Sequence, residues 1–160
     1  IDGAAGFALG SCDARFLYLG ARMERAAASL PTPVTTRSFD SDHTGFDRLT
    51  IFLDTDRDYQ LGYELTIDER GQVSERCGRD PAWNPRCHVA IDSDDAAWRL
   101  EIAIPWTELA VGRPAPGSCW GLRLVRTIPA VGWQGWGGVA DSQGAPSVGA
   151  GLMMFAGRRR

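Results

Sequence analysis

Short apolar runs recur roughly every ten residues along this chain, and glycine, proline and polar turn residues cut them apart. Phe16–Met23 (FLYLGARM) reads as a strand of aromatic and aliphatic residues. Leu49–Leu53 (LTIFL) is almost continuously apolar, as a buried strand is. Tyr63, Leu65 and Ile67 alternate with Glu64 and Thr66, so one face should meet a core and the other water. The turn signal DERG (Asp68–Gly71) follows, with Gln72–Glu75 as the returning arm of a hairpin. His88–Ile91, Trp98–Ile104, Trp120–Thr127 and Gly151–Phe155 complete the set. Strands this short at this spacing predict an all-β sandwich or barrel. Helix signals are few. Pro105–Leu109 can form one turn, because proline suits a first helical position. Ala21–Leu30 is helix-permissive as far as Pro31, or it extends the strand before it.

Hydrophobic residues at 44% and charged residues at 23% suit a chain that buries a core rather than a disordered one. The 160 residues fit a single domain, 1–157, with Arg158–Arg160 as a basic tail or linker remnant. A net charge of −3 lacks the basic excess of a nucleic-acid binder. No apolar run approaches the roughly 20 residues that span a bilayer, so no direct membrane span is expected. The chain opens at Ile1 without a secretion-signal pattern, as a processed or excised segment does.

Four cysteines without a C-x-x-C motif suggest two disulfides in place of a zinc site, although four free thiols in a cytosolic chain are the alternative. Cys77 with Cys87, flanking the turn-rich GRDPAWNPR, and Cys12 with Cys119 are the expected pairs. Such bonds persist in oxidising compartments, which implies an extracytoplasmic address, secreted or periplasmic.

Catalytic patterns are absent: His43 and His88 are the two histidines, and neither lies in a nucleophile motif. Most carboxylates fall in turns. In Asp54-Thr55-Asp56-Arg57-Asp58, alternate carboxylates at a strand end either converge on a structural Ca2+ or form a solvated turn. An EF-hand fails there, since Tyr59 stands where that loop needs glycine and Leu65 where it needs glutamate. Six tryptophans are many for this length. Trp98 and Trp120 belong to strand patterns. Trp83, Trp133 and Trp136 sit among glycine and proline in expected loops, where they would stack on a flat ligand or cover the ends of the fold. Met23 and His88 offer the thioether and imidazole of an axial pair for haem b.

Asp13–Met23, FDRLTIFLDTDRD (Phe46–Asp58), GYELTIDERGQV (Gly62–Val73), WRLEIAIPWTEL (Trp98–Leu109) and GSCWGLRLVR (Gly117–Arg126) follow one another in an order that resembles the family 9 carbohydrate-binding modules and their DOMON-like relatives. W-x-x-E-x-x-I-P, at Trp98, Glu101, Ile104 and Pro105, is the most specific part. The resemblance implies an antiparallel β-sandwich, jelly-roll-like, that serves as a non-catalytic appendage of a larger extracytoplasmic protein. It implies a sugar clamped between two tryptophans, structural calcium in some members and haem held by Met and His in some relatives. The clamp positions correspond to Thr44 and to Gln143, before the closing segment Pro146–Phe155, and the polar contacts of the hairpin strand to Thr66 and Asp68. Nine residues separate Gly3 from Asp13, where members commonly carry a further strand.

The expected fold is therefore an antiparallel sandwich with Leu17, Leu19, Ile51, Leu53, Leu65, Ile67, Trp98, Leu100, Ile102, Ile104, Trp120, Leu122 and Leu124 in its core. Glu101 and Arg126 are expected to serve structural electrostatics. The expected function is polysaccharide or oligosaccharide binding through Phe46, Trp83, Trp133 and Trp136. The alternatives are a docking domain that holds protein neighbours in an assembly and, third, a haem electron-transfer domain.

Overall fold

A computed structural model describes residues 5–26, 41–58, 62–80, 82–138 and 149–157. Two antiparallel sheets face each other. The first has the order β1-β2-β7-β6, from Gly6–Cys12, Phe16–Glu24, Ala97–Pro105 and His88–Ser93. The second has the order β10-β8-β3-β4-β5, from Gly151–Met154, Cys119–Ile128, Arg48–Asp54, Tyr63–Asp68 and Val73–Cys77. β9 (Gly132–Trp136) also pairs with β8, beyond the end of β10. No α-helix occurs among the described residues, and the turn expected after Pro105 is a 3-10 turn, Trp106–Glu108. No helix there is long and apolar enough to cross a membrane.

Alternation explains the layers. Leu17, Leu19, Ala21 and Met23 of β2 point inward with Trp98, Leu100, Ile102 and Ile104 of β7. Opposite them lie Leu49, Ile51 and Leu53 of β3 and Tyr63, Leu65 and Ile67 of β4. The expected core residues are buried in this layer except Leu124, which is only partly covered because it borders an open side of the sandwich. Trp106, Trp120 and Phe155 close one end, with ring centroids 4.9–6.1 Å apart. Near the other end, Arg126 reaches inward from β8 to Asp47, which also accepts the Trp98 indole N–H at 3.0 Å. Arg126 thus has its structural role. Glu101 does not: it is exposed on β7 without an ion-pair partner among the described residues.

Two strands were not expected. β1 fills the short front of the chain, and β9 carries Trp133 and Trp136, which the sequence places in loops. Both are glycine-bearing and largely exposed, so neither shows a burial pattern to read. No disulfide joins any of the four cysteines. Cys12 lies on β1 and Cys119 on β8, in opposite sheets, while Cys77 on β5 and Cys87, just before β6, both pack against the core as part-buried thiols. Gln143, Pro146, Arg158–Arg160, Ile1 and most of Ala21–Leu30 beyond β2 lie outside the described residues.

Candidate functional site

Residues paired across antiparallel strands point to the same side of a sheet. On the outer side of the second sheet, Trp133, Thr127, Arg48 and Asp68 form one row across β9, β8, β3 and β4. Gly135, Val125, Thr50, Thr66 and Ser74 form the next, extending to β5. The Trp133 ring lies over Gly135, its Cζ3 3.5 Å from where a Cβ would stand. Thr50 and Thr66 hydroxyls meet at 3.0 Å. From β9 to β4 is three strand spacings, roughly 14 Å.

The segment before β3 forms the opposite wall. His43 Nδ1 lies 3.0 Å from Asp68 Oδ2, and its Nε2 lies 3.0 Å from Ser74 Oγ. Arg70 donates to the same Asp68 oxygen through Nη2 at 2.6 Å and Nε at 3.1 Å, while the Arg70 and Gln72 backbone N–H groups donate to Oδ1. Asp68 is fully buried. Burial opposes its ionisation, but the hydrogen bonds from His43 and Arg70 prevail and hold its carboxyl below the usual carboxylate range. Arg70 also donates to the Asp42 carbonyl and stacks on Phe46, 3.4 Å from the ring centroid. Arg48 Nη1 donates to the His43 and Phe46 carbonyls at 3.2 and 3.3 Å. The order hydroxyl, imidazole, carboxylate is the one that activates nucleophiles. Here Arg70 and two amides also bond the carboxylate, and the array ties the His43 segment to β4 and β5.

Asp54, Asp56 and Asp58 place carboxylate oxygens within 4.8 Å of one another. Asp54, ending β3, is buried and accepts the Arg57 N–H at 2.7 Å. Three hard oxygen donors suit Ca2+, with backbone carbonyls and water needed to complete its shell. Met23 and His88 are not brought together. Met23 faces the core, while His88 is exposed in the row of Ala103 and Tyr18, on the other face and five residues away along β2. They cannot hold the two sides of one haem.

No family model matches the chain, and no curated protein matches it. Solved structures do. A family 9 carbohydrate-binding module from Caldicellulosiruptor kristjanssonii, in complex with cellotriose, superposes with a TM-score of 0.72 at 15% identity, over 99% of this chain and 78% of that one. The same source gives a glucose complex at a TM-score of 0.71 and 15% identity, over 99% and 80%. A Bacteroides uniformis protein assigned to carbohydrate binding gives 0.73 at 10% identity, over 95% and 78%. The fold is that of a family 9 carbohydrate-binding module.

Of the positions that the resemblance marks in this family 9-like sandwich, Thr66 and Asp68 lie on the outer face of β4, Thr44 follows the His43 that reaches Asp68, and Gln143 lies outside the described residues. Phe46 and Trp133 flank that face. Trp83 does not join them: its Nε1 donates to the Glu108 carbonyl, and its ring packs 4.8 Å from that of Tyr63. Trp136, three residues after Trp133 on one strand, faces the other side. It pairs with Leu124 and edges a groove of about 640 Å3 between β1 and β10. His43, Arg48, Arg70 and Ser74 escaped the sequence reading. Alternation along β3 and β5 could have marked Arg48 and Ser74 as outward neighbours of Thr50 and Thr66.

Proposed function

We propose that the chain is a non-catalytic, extracytoplasmic carbohydrate-binding module of a larger protein, its ligand lying across the outer face between Trp133 and the His43–Phe46 segment. The observation that carries this reading is the Trp133 ring laid over Gly135 beside a floor of Thr50, Thr66 and Ser74. An aromatic face for the sugar ring and hydroxyls for its polar edge are what a saccharide needs. The fold shared with modules solved with cellotriose and glucose supports an oligosaccharide as the partner. Structural Ca2+ at Asp54, Asp56 and Asp58 belongs to the same proposal. Calorimetric titration with a panel of oligosaccharides tests it: Trp133→Ala should lose binding with the fold intact, and unchanged binding would refute the site.

A second reading rests on the groove between β1 and β10. Leu9, Leu152 and Met154 border it at 64–69% exposure, an apolar strip of the kind that docks a protein neighbour. Leu152→Glu should then release that neighbour from the native assembly without touching sugar binding; retention of the neighbour would set this reading aside.

A further inference from the structure

The carboxylates of the outer face are engaged by groups other than Arg48. Asp68 is closed off by Arg70 and His43. Asp42, exposed at the rim, accepts the Thr44 N–H, and Glu64 pairs with Arg76 farther along β4 and β5. Arg48, between Thr127 and Asp68, has no carboxylate partner among the described residues. Its Nη1 is spent on the His43 and Phe46 carbonyls, which fixes the plane of the guanidinium. Its Nε and Nη2 have no protein partner there. That pair of N–H groups is the flat fork that a carboxylate matches with two parallel hydrogen bonds.

Resting on the carbohydrate reading above, we propose that the face takes an anionic sugar, a hexuronate whose carboxylate sits on the Nε–Nη2 edge of Arg48 while a ring of the chain stacks on Trp133. A neutral sugar offers this fork only hydroxyls, and a hydroxyl bond replaces water at little net gain. A carboxylate makes a charge-assisted pair on a side chain already held in place, so little ordering is lost on binding.

The test is calorimetric titration of the intact chain with a galacturonate trimer, the same trimer with its carboxyls reduced to alcohols, a sulfated neutral trimer and cellotriose. The uronate should bind at least about tenfold tighter than its reduced form. That preference should shrink as salt rises. Arg48→Gln should erase it, and Arg48→Lys should keep only part. Because Arg48 also holds two carbonyls, the comparison of ligands on the unaltered chain decides even where Arg48→Gln loosens the segment. Equal binding of the reduced trimer would overturn the inference and leave carbohydrate binding standing. Equal binding of the sulfated trimer would overturn the choice of carboxylate. Failure of all four would overturn both.

Discussion

Trp133 and Trp136 show how one residue's parity decides its role. They lie three positions apart on β9, so a strand sends their rings to opposite faces. Trp133 lies with the hydroxyl floor, whereas Trp136 rests its ring edge where a Cβ at Gly151 would clash, 2.5 Å away. Trp136→Ala should therefore leave oligosaccharide affinity within about twofold, while Trp133→Ala removes binding by about tenfold or more, since an aromatic contact is worth roughly a kcal/mol or more beyond its buried area. Titration of both variants checks the contrast. Ser74 gives a second outcome at this scale. With Asp68 tied to Arg70, the hydroxyl should stay unlabelled by a fluorophosphonate probe, as intact-mass spectrometry would show; stoichiometric labelling lost in His43→Ala would make the array a catalytic one. Trp133 and Phe46 were legible from sequence as aromatics with possible ligand roles. His43 was not, because its partners Asp68 and Ser74 lie 25 and 31 residues away and only strand pairing brings them near.

At the scale of elements, strands with one wet face were readable and edge strands were not. β3, β4 and β7 declare themselves by alternation that a buried face enforces, and the DERG turn lies where the β4–β5 hairpin reverses. β1 and β9 have almost no buried face, so glycine in GFALGSC and GWQGW reads as loop. The hairpin itself is testable. Gly71 has φ +90°, and a Cβ there would come 3.3 Å from Ile91 Cγ1 on β6. Gly71→Ala should cost about 1–2 kcal/mol through left-handed strain alone. Urea unfolding measures it, and a loss below half a kcal/mol would mean the turn relaxes freely. The turn that follows β3 makes a separate claim. Saturating Ca2+ should raise the melting temperature by roughly 5 °C over EDTA. Asp56→Asn should cancel the rise. An identical melt in both buffers would mark the three carboxylates as a solvated turn.

On the scale of the whole molecule, buried ionic contacts link the outer face to the core. The depressed Asp68 carboxyl favours the fold above its ordinary pKa of 3.8, and that contribution fades as pH falls through the lowered value. Glu69, raised chiefly by burial, acts in the opposite sense and softens the acid limb. Asp47 is the stronger link. It stands directly before β3, one residue from Phe46, and joins Arg126 of β8 to Trp98 of β7. Arg126 also donates to the Glu24 carbonyl of β2, so the two sheets and the base of the His43 segment meet at this ion pair. Asp47→Ala takes the carboxylate away from a guanidinium only 2% exposed, a change that costs about 3–5 kcal/mol. Against a total stability of about 5–15 kcal/mol, that loss is a large share of the whole. Arg126→Met paired with Asp47→Leu removes both charges at once and should recover most of the loss, because no unpaired ion remains buried. The double variant should nevertheless bind oligosaccharide more weakly than the parent, since Arg48 and Asp68 would then hold the His43 segment without its anchor. Urea midpoints and titration on the same samples separate these effects. Full stability with full affinity would mean that Asp47 contributes to neither, and stability restored without loss of affinity would confine it to the core.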